Sequence, residues 1–278
     1  MWKNLAKGGI WFAIYFALQN ILSILFAGIS LTTQLDSLPE LNDVDALTDF
    51  VMKVIMDAVM PTMIAASIAF IIIYLVHKKV IKQPLDIKKV DWQYSIFFIG
   101  VGLILNVCAN SFLWIMDSII PEAWLETLNV SIDAASTGQP MWMLILGTGI
   151  LIPIMEELTF RYGIHKNIAQ KNVVWAYIIS SVLFGLMHGN PIQIVYATAF
   201  GFALAWVYQK TSNIWYPIIL HMVNNTASLL GLGLESEIIY VLIYTVIGAG
   251  IIVLSYFCLP HVHTLLTKKM PQNSQIQP

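Results

Sequence analysis

The chain has 278 residues, of which 58% are hydrophobic and 11% are charged, and its formal net charge is -2. An average soluble domain is about 25% charged, so this composition excludes that class and predicts an integral membrane protein. No basic tract interleaved with aromatic residues occurs in the sequence, and we therefore expect no nucleic-acid partner.

Eight hydrophobic segments follow one another along the chain. Each is long enough, or nearly long enough, to cross a hydrocarbon core of about 30 Å at about 1.5 Å per residue. We predict an all-α, polytopic fold of about eight transmembrane helices in a single membrane domain over residues 1–278. The approximate limits of the segments are 9–31, 54–76, 93–119, 141–165, 173–189, 191–209, 213–233 and 237–259.

The two ends of the chain differ in character. The first segment follows Lys3 and Lys7, as the core of a signal peptide would. Its apolar run is about 20 residues long, rather than the roughly 7 to 15 of a cleaved signal, so we predict an uncleaved first span. Residues 270–278 are polar and are predicted to be disordered.

The loops between the segments alternate in charge. Residues 32–50 carry acidic but no basic side chains, residues 77–91 are rich in lysine, and residues 120–140 again lack basic residues. All basic residues except Lys53 then lie on one side, which the positive-inside rule makes cytoplasmic. We therefore predict that both termini lie in the cytoplasm. The basic residues after the third segment are Arg161, Lys166, Lys171, Lys210, Lys268 and Lys269.

Cys108 and Cys258 each lie in an apolar run, without another Cys or His at metal-ligand spacing. We interpret both as small hydrophobic residues of the core rather than as a disulfide or metal pair.

The fourth segment ends in Glu156-Glu157-Leu158-Thr159-Phe160-Arg161. Glu157 and Arg161 are four residues apart and share a helix face, so they can form an ion pair. Glu156 points about 100° away from Glu157. It is therefore free to face a cavity, where a carboxylate can take and return a proton. The structural alternative is an ion-paired helix end at the cytoplasmic interface.

The fifth segment ends in Phe184-Gly185-Leu186-Met187-His188, followed by Gly189-Asn190-Pro191. The sequence His-Gly-Asn-Pro ends one helix and permits a sharp turn before the next. Phe184 lies on the same helix face as His188 and could separate it from lipid. The structural alternatives are an interfacial histidine and, for Phe184, plain packing.

On the seventh segment, His221 and Asn225 are four residues apart and share one helix face. Such a pair can hold a metal, orient a water or donate hydrogen bonds to a developing oxyanion. A satisfied hydrogen bond between helices is the structural alternative. We interpret Asn224 and Asn190 as structural.

These polar residues can meet inside the membrane. If the fourth helix continues to about Gln170 and the fifth folds back along it, Glu156 lies level with about Gly185, and His188 lies roughly one turn deeper. The turn after His188 must then line a wet cavity walled by protein, where a broken backbone is tolerated. We predict one intramembrane polar cavity that collects the three motifs.

The three motifs Glu-Glu-x-x-x-Arg, Phe-x-x-x-His and His-x-x-x-Asn resemble those of the CPBP family, over residues 140–232. This family comprises prenyl-protein (CAAX) proteases and bacterial bacteriocin-processing or self-immunity proteins, also called the Abi family. The sequence around Leu186, His188, Gly189, Asn190 and Gln193, with Pro217 before His221, is similar to bacterial members. Together with the acidic loops, this resemblance implies a bacterial plasma-membrane protein.

The resemblance implies an eight-helix intramembrane endopeptidase in which Glu156 and His188 activate a water. It further implies that His221 and Asn225 stabilise the tetrahedral oxyanion and that Arg161 supports the acidic pair of Glu156 and Glu157. The expected substrate is a peptide or a membrane protein, as in bacteriocin leader processing or self-immunity.

Members of the family have been described both as metalloproteases and as metal-independent glutamate proteases. Glu156, Glu157, His188 and His221 could hold a divalent ion such as zinc, but no His-Glu-x-x-His motif is present. We favour activation of water without a metal.

Two other functions compete with hydrolysis. The first is a non-catalytic scaffold that binds and regulates a sensor kinase or another membrane partner. The second is a proton-coupled transporter, which ranks last because we detect no inverted repeat with paired broken helices. Other intramembrane proteases fit less well, because the His-Glu-x-x-His motif of the site-2 type is absent and Asp57 and Asp117 are expected near helix ends.

Overall fold

The fold was analysed in a computed structural model that describes residues 2–40, 43–80, 88–117, 119–136, 138–231 and 237–267. Helices and short turns make up these residues, and no strand occurs among them. The predicted disorder of residues 270–278 concerns residues outside this description, as do Lys82, Lys268 and Lys269.

Ten helices follow one another in the described residues. They are α1 (Trp2–Gln34), α2 (Val44–Val80), α3 (Trp92–Asp117), α4 (Glu122–Ser136), α5 (Met141–Ala169), α6 (Val173–Leu186), α7 (Pro191–Thr211), α8 (Trp215–Gly231), α9 (Glu237–Cys258) and α10 (Pro260–Thr267).

Six of these helices, α1, α2, α3, α5, α7 and α9, are long and apolar enough to cross a membrane. The shorter α6, with 14 residues, and α8, with 17, lie where the fifth and seventh spans were predicted. The prediction of an all-α, polytopic membrane protein is therefore confirmed.

The helix α5 is irregular on both sides of the acidic pair. Its segments Ile145–Leu151 and Leu158–His165 are π-helical, and the six residues Ile152–Glu157 between them are α-helical. Pro153 lies at the start of the α-helical segment and has no N–H to donate to the preceding turn. Single π-helical turns occur often at functional sites. Glu156 and Glu157 close the regular segment, directly before the second change of geometry.

The turn between α6 and α7 has the form that His-Gly-Asn-Pro predicts. Gly189 adopts φ +72°, in the left-handed region that favours glycine. The side chain of Asn190 caps α7 by accepting hydrogen bonds from the backbone N–H groups of Ile192 at 2.9 Å and Gln193 at 3.3 Å. Pro191 occupies the first turn of α7, where its missing N–H costs nothing.

A buried asparagine ties α3 to α8 and α9. The Nδ2 of Asn106, which is fully buried, donates to the carbonyl of Asn224 at 2.9 Å and to Oγ of Ser228 at 2.6 Å. Its Oδ1 accepts a hydrogen bond from the hydroxyl of Tyr240. Hydrogen bonds between helices hold membrane bundles together where lipid provides no hydrophobic drive. This network fixes the depth of α8, the helix that carries His221.

The prediction that Cys108 and Cys258 are core residues is wrong, although both are free thiols as expected. Each is exposed on the surface of the helix bundle. The apolar run around a cysteine does not show which way it points, because the outer surface of a membrane bundle is itself apolar.

Helices α6 and α7 approach each other most closely at Gly185. A Cβ atom on this residue would lie 2.0 Å from Oγ1 of Thr198 and 2.7 Å from the carbonyl oxygen of Ile194. Real atoms do not approach so closely, so any side chain at this position must separate the two helices.

We expect Gly185→Ala to lower the free energy of unfolding by about 1–3 kcal/mol, because it overpacks the contact between α6 and α7. Denaturant unfolding in detergent micelles measures the change. Gly250→Ala in α9 is the matched control, since a Cβ there meets nothing within 4 Å. Equal stability of the two variants would contradict the close packing.

Candidate active site

Glu157 is the centre of a buried charge cluster. Its side chain is fully buried and lies between Arg161, with Nε–Oε2 at 3.1 Å, and His221, with Nδ1–Oε1 at 3.0 Å. The predicted ion pair of Glu157 and Arg161 is confirmed. The contact to His221 joins α5 to α8, which the sequence alone could not establish.

Glu156 lies on the opposite side of the same imidazole. Its Oε2 is 3.6 Å from Nε2 of His221, slightly beyond hydrogen-bond distance. It also lies close enough to interact electrostatically with His188. Glu156 is 8% exposed, whereas Glu157 and Arg161 are fully buried. Glu156 is therefore the less completely buried carboxylate of the pair.

The imidazole of His221 faces both carboxylates. Its Nδ1 lies at hydrogen-bond distance from Glu157, whose charge is already held by Arg161. A carboxylate that accepts from one ring nitrogen fixes the orientation of the ring and directs the other nitrogen to its target. Here, Nε2 is the nitrogen directed toward Glu156.

His188 has a defined tautomer. Its Nδ1 is 3.0 Å from the backbone carbonyl of Phe184, and because a carbonyl oxygen can only accept, Nδ1 carries the proton. In the neutral ring, Nε2 therefore keeps its lone pair. The residue is half-buried, beside the turn that leads into α7. This nitrogen can accept a hydrogen bond or a proton from a bound water.

Phe184 connects the residues of all three motifs. Its ring lies 5.2 Å from the ring of His188 and 5.6 Å from that of His221, and Cζ of Arg161 stands 4.7 Å from its centroid. For Phe184, the structural alternative predicted from the sequence was plain packing. The contacts also shield the buried guanidinium on one face by a cation–π interaction.

Asn225 is turned toward the backbone of α5. Its Nδ2 donates to the carbonyl of Thr148 at 3.1 Å, and its Oδ1 accepts from Nδ2 of Asn224 at 3.2 Å. Thr148 lies in the first π-helical segment of α5. His221 and Asn225 therefore attach α8 to α5 at two heights, one at the last residue of the regular segment and one before its first residue.

Comparison with known proteins gives consistent matches. A model of the family described as "Type II CAAX prenyl endopeptidase Rce1-like" matches residues 138–227. "UPF0177 protein YxdF" of Lactococcus lactis subsp. lactis is 30% identical over 139 residues, which are 47% of this chain and 74% of that protein. The chain belongs to the CPBP family.

A second relative of this CPBP protein is "Putative membrane peptidase YdiL" of Bacillus subtilis. It is 38% identical over 89 residues, which are 32% of this chain but only 36% of the length of that relative. No solved structure matches the chain. The predicted resemblance to the CPBP family is thus confirmed.

The side chains of the CPBP motifs do not fit a metal site. Both carboxylate oxygens of Glu157 are engaged, one by Arg161 and the other by His221. Within the described part of the chain, no group of three or more His, Cys, Asp or Glu side chains is arranged to hold a metal ion. We therefore derive no catalytic step through a metal.

Two neighbours of the CPBP motif residues were not predicted from the sequence, the aromatic Phe200 and the polar His165. The ring of Phe200 on α7 lies 5.2 Å from that of His221 and closes the cluster on that side. One turn beyond Arg161, the buried His165 pairs with Oε1 of Gln209 at 3.1 Å and with Oγ of Ser180 at 3.4 Å. No sequence motif includes Phe200. His165 could have been predicted, because it follows Arg161 by four residues and shares its helix face.

Removal of one partner of a buried ion pair leaves an uncompensated charge. We expect Arg161→Met to lower the free energy of unfolding by about 3–5 kcal/mol, as measured by denaturant titration in detergent micelles. The double variant Glu157→Gln/Arg161→Met should recover part of this loss, because no unpaired charge remains.

Lys53→Met, on an exposed position of α2, is the control and should change stability by no more than about 0.5 kcal/mol. If the double variant lost as much stability as the single variants Arg161→Met and Glu157→Gln together, Glu157 and Arg161 would not stabilise each other.

Proposed function

We propose that this protein is an intramembrane endopeptidase that hydrolyses a peptide bond with a water activated by Glu156 and His188. The observation that carries the proposal is the position of His221, at 3.0 Å from Glu157 and 3.6 Å from Glu156, on a helix remote in sequence from both. The names of the matched family and of the Bacillus relative, which refer to peptidases, support the same reaction.

The two adjacent carboxylates have different roles in this proposal. Glu157 is bound on both oxygens and serves to orient His221 and to neutralise Arg161. Glu156 is partly accessible and has no such clamp, so it can act as the general base. A general base within reach of a water contributes about 10²–10⁴-fold to the rate.

Hydrolysis would proceed through a tetrahedral intermediate. Glu156 removes a proton from a water that also donates a hydrogen bond to Nε2 of His188, and the resulting hydroxide attacks the peptide carbonyl. The C–N bond then breaks as Glu156 returns the proton to the leaving amine. The mechanism needs one carboxylate that gains and loses a proton, Glu156, and a second one that does not, Glu157.

His221 and Asn225 are the proposed oxyanion donors. His221 acts here as an imidazolium, because Nδ1 already donates to Glu157 and only the protonated ring carries a second N–H, on Nε2. Nε2 of His221 lies beside Glu156, where the carbonyl carbon must come during attack. The amide of Asn225 donates to Thr148 in this structure and would leave that carbonyl for the oxyanion when substrate binds. Donors placed where charge develops are worth about 10²–10³-fold in kcat.

The proposed substrate is a peptide or a segment of a membrane protein, with bacteriocin leader processing or self-immunity as its setting. A scaffold that binds and regulates a membrane partner is the alternative. The cluster of Glu156, His188 and His221 favours hydrolysis, because binding alone does not require a partly accessible carboxylate beside two imidazoles.

We expect Glu156→Gln to abolish cleavage while the helix bundle stays intact, because the substitution keeps the shape but removes the base. The measurement is a mass-spectrometric comparison of protein N-termini in cells that express the wild type or the variant. Synthetic peptides that span the detected cleavage sites then give kcat, which should fall by about 10²–10⁴-fold.

Glu126→Gln, on the exposed face of α4, is the matched control and should cleave like the wild type. An identical set of N-termini with and without Glu156 would refute the endopeptidase. A cellular function that survives Glu156→Gln would support the scaffold.

We also propose that the protein lies in the bacterial plasma membrane with both termini in the cytoplasm. In a background without Cys108 and Cys258, a membrane-impermeant thiol reagent should label Glu40→Cys in intact cells. Lys89→Cys should be labelled only after the membrane is opened, because lysine-rich loops stay inside. The reverse pattern would invert the topology.

A further inference from the structure

Helix α1 forms a wall of the candidate site that lies outside the family-matched segment 138–227. It runs antiparallel to the second half of α5. The Cβ of Trp11 lies 3.3 Å from where a Cβ on Gly163 would stand, and the rings of Phe12 and Phe160 are 6.2 Å apart. The absence of a side chain at Gly163 permits this close approach.

This register fixes the level of Tyr15. Each step forward along α1 corresponds to one step back along α5, since both helices rise by about 1.5 Å per residue. From the contacts of Trp11 and Phe12, Tyr15 lies level with residues 157–159. Measured along the helix axis, its backbone is therefore within about one helical turn of the level of Glu156.

The side chain of Tyr15 points into the protein. It is only 4% exposed and belongs to a buried cluster with Phe70, Tyr74, Ile152 and Met155. Met155 directly precedes Glu156, and Ile152 lies one turn before it on the same face of α5. Tyr15 is thus buried next to the part of α5 that presents the accessible carboxylate.

The hydroxyl group has two polar neighbours in this apolar wall. Gln19 follows four residues later on the same face of α1, within reach of the hydroxyl, and Glu156 is close enough to act on it electrostatically. A buried hydroxyl without a partner costs free energy, and a phenylalanine would fill the same space without that cost. Gln19 is placed to orient the hydroxyl.

Nε2 of His221 faces Glu156 from one side at 3.6 Å, beyond hydrogen-bond distance, and α1 lies on another side. A carboxylate that acts as a base must be held in one orientation, and a phenol can donate one hydrogen bond to a carboxylate oxygen. The wall offers such a donor at the correct level.

We propose that Tyr15 is a positioning residue of the endopeptidase, whose hydroxyl holds the carboxylate of Glu156 in the orientation that activates water. The inference rests on the proposed function. It assigns to α1 a part in the reaction that the three sequence motifs on α5, α6 and α8 do not contain.

The test is Tyr15→Phe, which keeps the ring and removes only the hydroxyl. With a synthetic peptide that spans a cleavage site found by N-terminal mass spectrometry, kcat should fall by about 10- to 100-fold. KM should stay within about twofold of the wild-type value, and the melting temperature should not change.

Tyr74→Phe is the matched control, because it removes a buried hydroxyl from the same cluster on α2. It should leave kcat and KM unchanged. A second measurement needs no substrate: the infrared carboxyl bands of Glu156, identified by their loss in Glu156→Gln, should shift in Tyr15→Phe and not in Tyr74→Phe.

The outcomes separate the inference from the function on which it rests. Wild-type kcat and unshifted bands in Tyr15→Phe, with Glu156→Gln inactive, would overturn the role of Tyr15 and leave the endopeptidase standing. An equal loss of kcat in Tyr15→Phe and Tyr74→Phe would reduce Tyr15 to packing. Equal cleavage by wild type and Glu156→Gln would overturn both.

Discussion

The structure depends on how Glu157 is neutralised in a region where lipid surrounds the protein. Charges at this depth are tolerated only when they face inward and pair, and Glu157 is held on one oxygen by Arg161 and on the other by His221. The guanidinium in turn lies on the ring of Phe184. Because Arg161 pairs with Glu157, the adjacent Glu156 is not part of this ion pair.

The rest of the fold holds the two sides of this contact in register. On α5, π-helical turns on both sides of the acidic pair change the direction of the side chains that follow. Asn106 of α3 donates to the backbone of α8, and Asn225 of α8 donates to the backbone of α5, and these hydrogen bonds fix the height of His221. The shared feature is that polar contacts between helices replace the hydrophobic drive that is missing in lipid.

Two sequence predictions show where local reasoning ends. The four-residue spacing of Glu157 and Arg161 was sufficient to predict their ion pair, because neighbours on one helix face meet whatever the rest of the chain does. The apolar runs around Cys108 and Cys258 predicted positions in the core, but both residues are exposed. Hydropathy identifies a membrane helix but does not distinguish its lipid-facing side from its packed side.

The sequence by itself determined the helical, membrane-spanning class, the turn after His188 and which residues are candidates for the site, since each follows from local spacing or composition. Only the tertiary structure decided which carboxylate binds His221, and that Phe200 and Tyr15 border the site. Those contacts join α7 and α1 to helices distant in the chain. Their geometry depends on the register between helices, which no local pattern encodes.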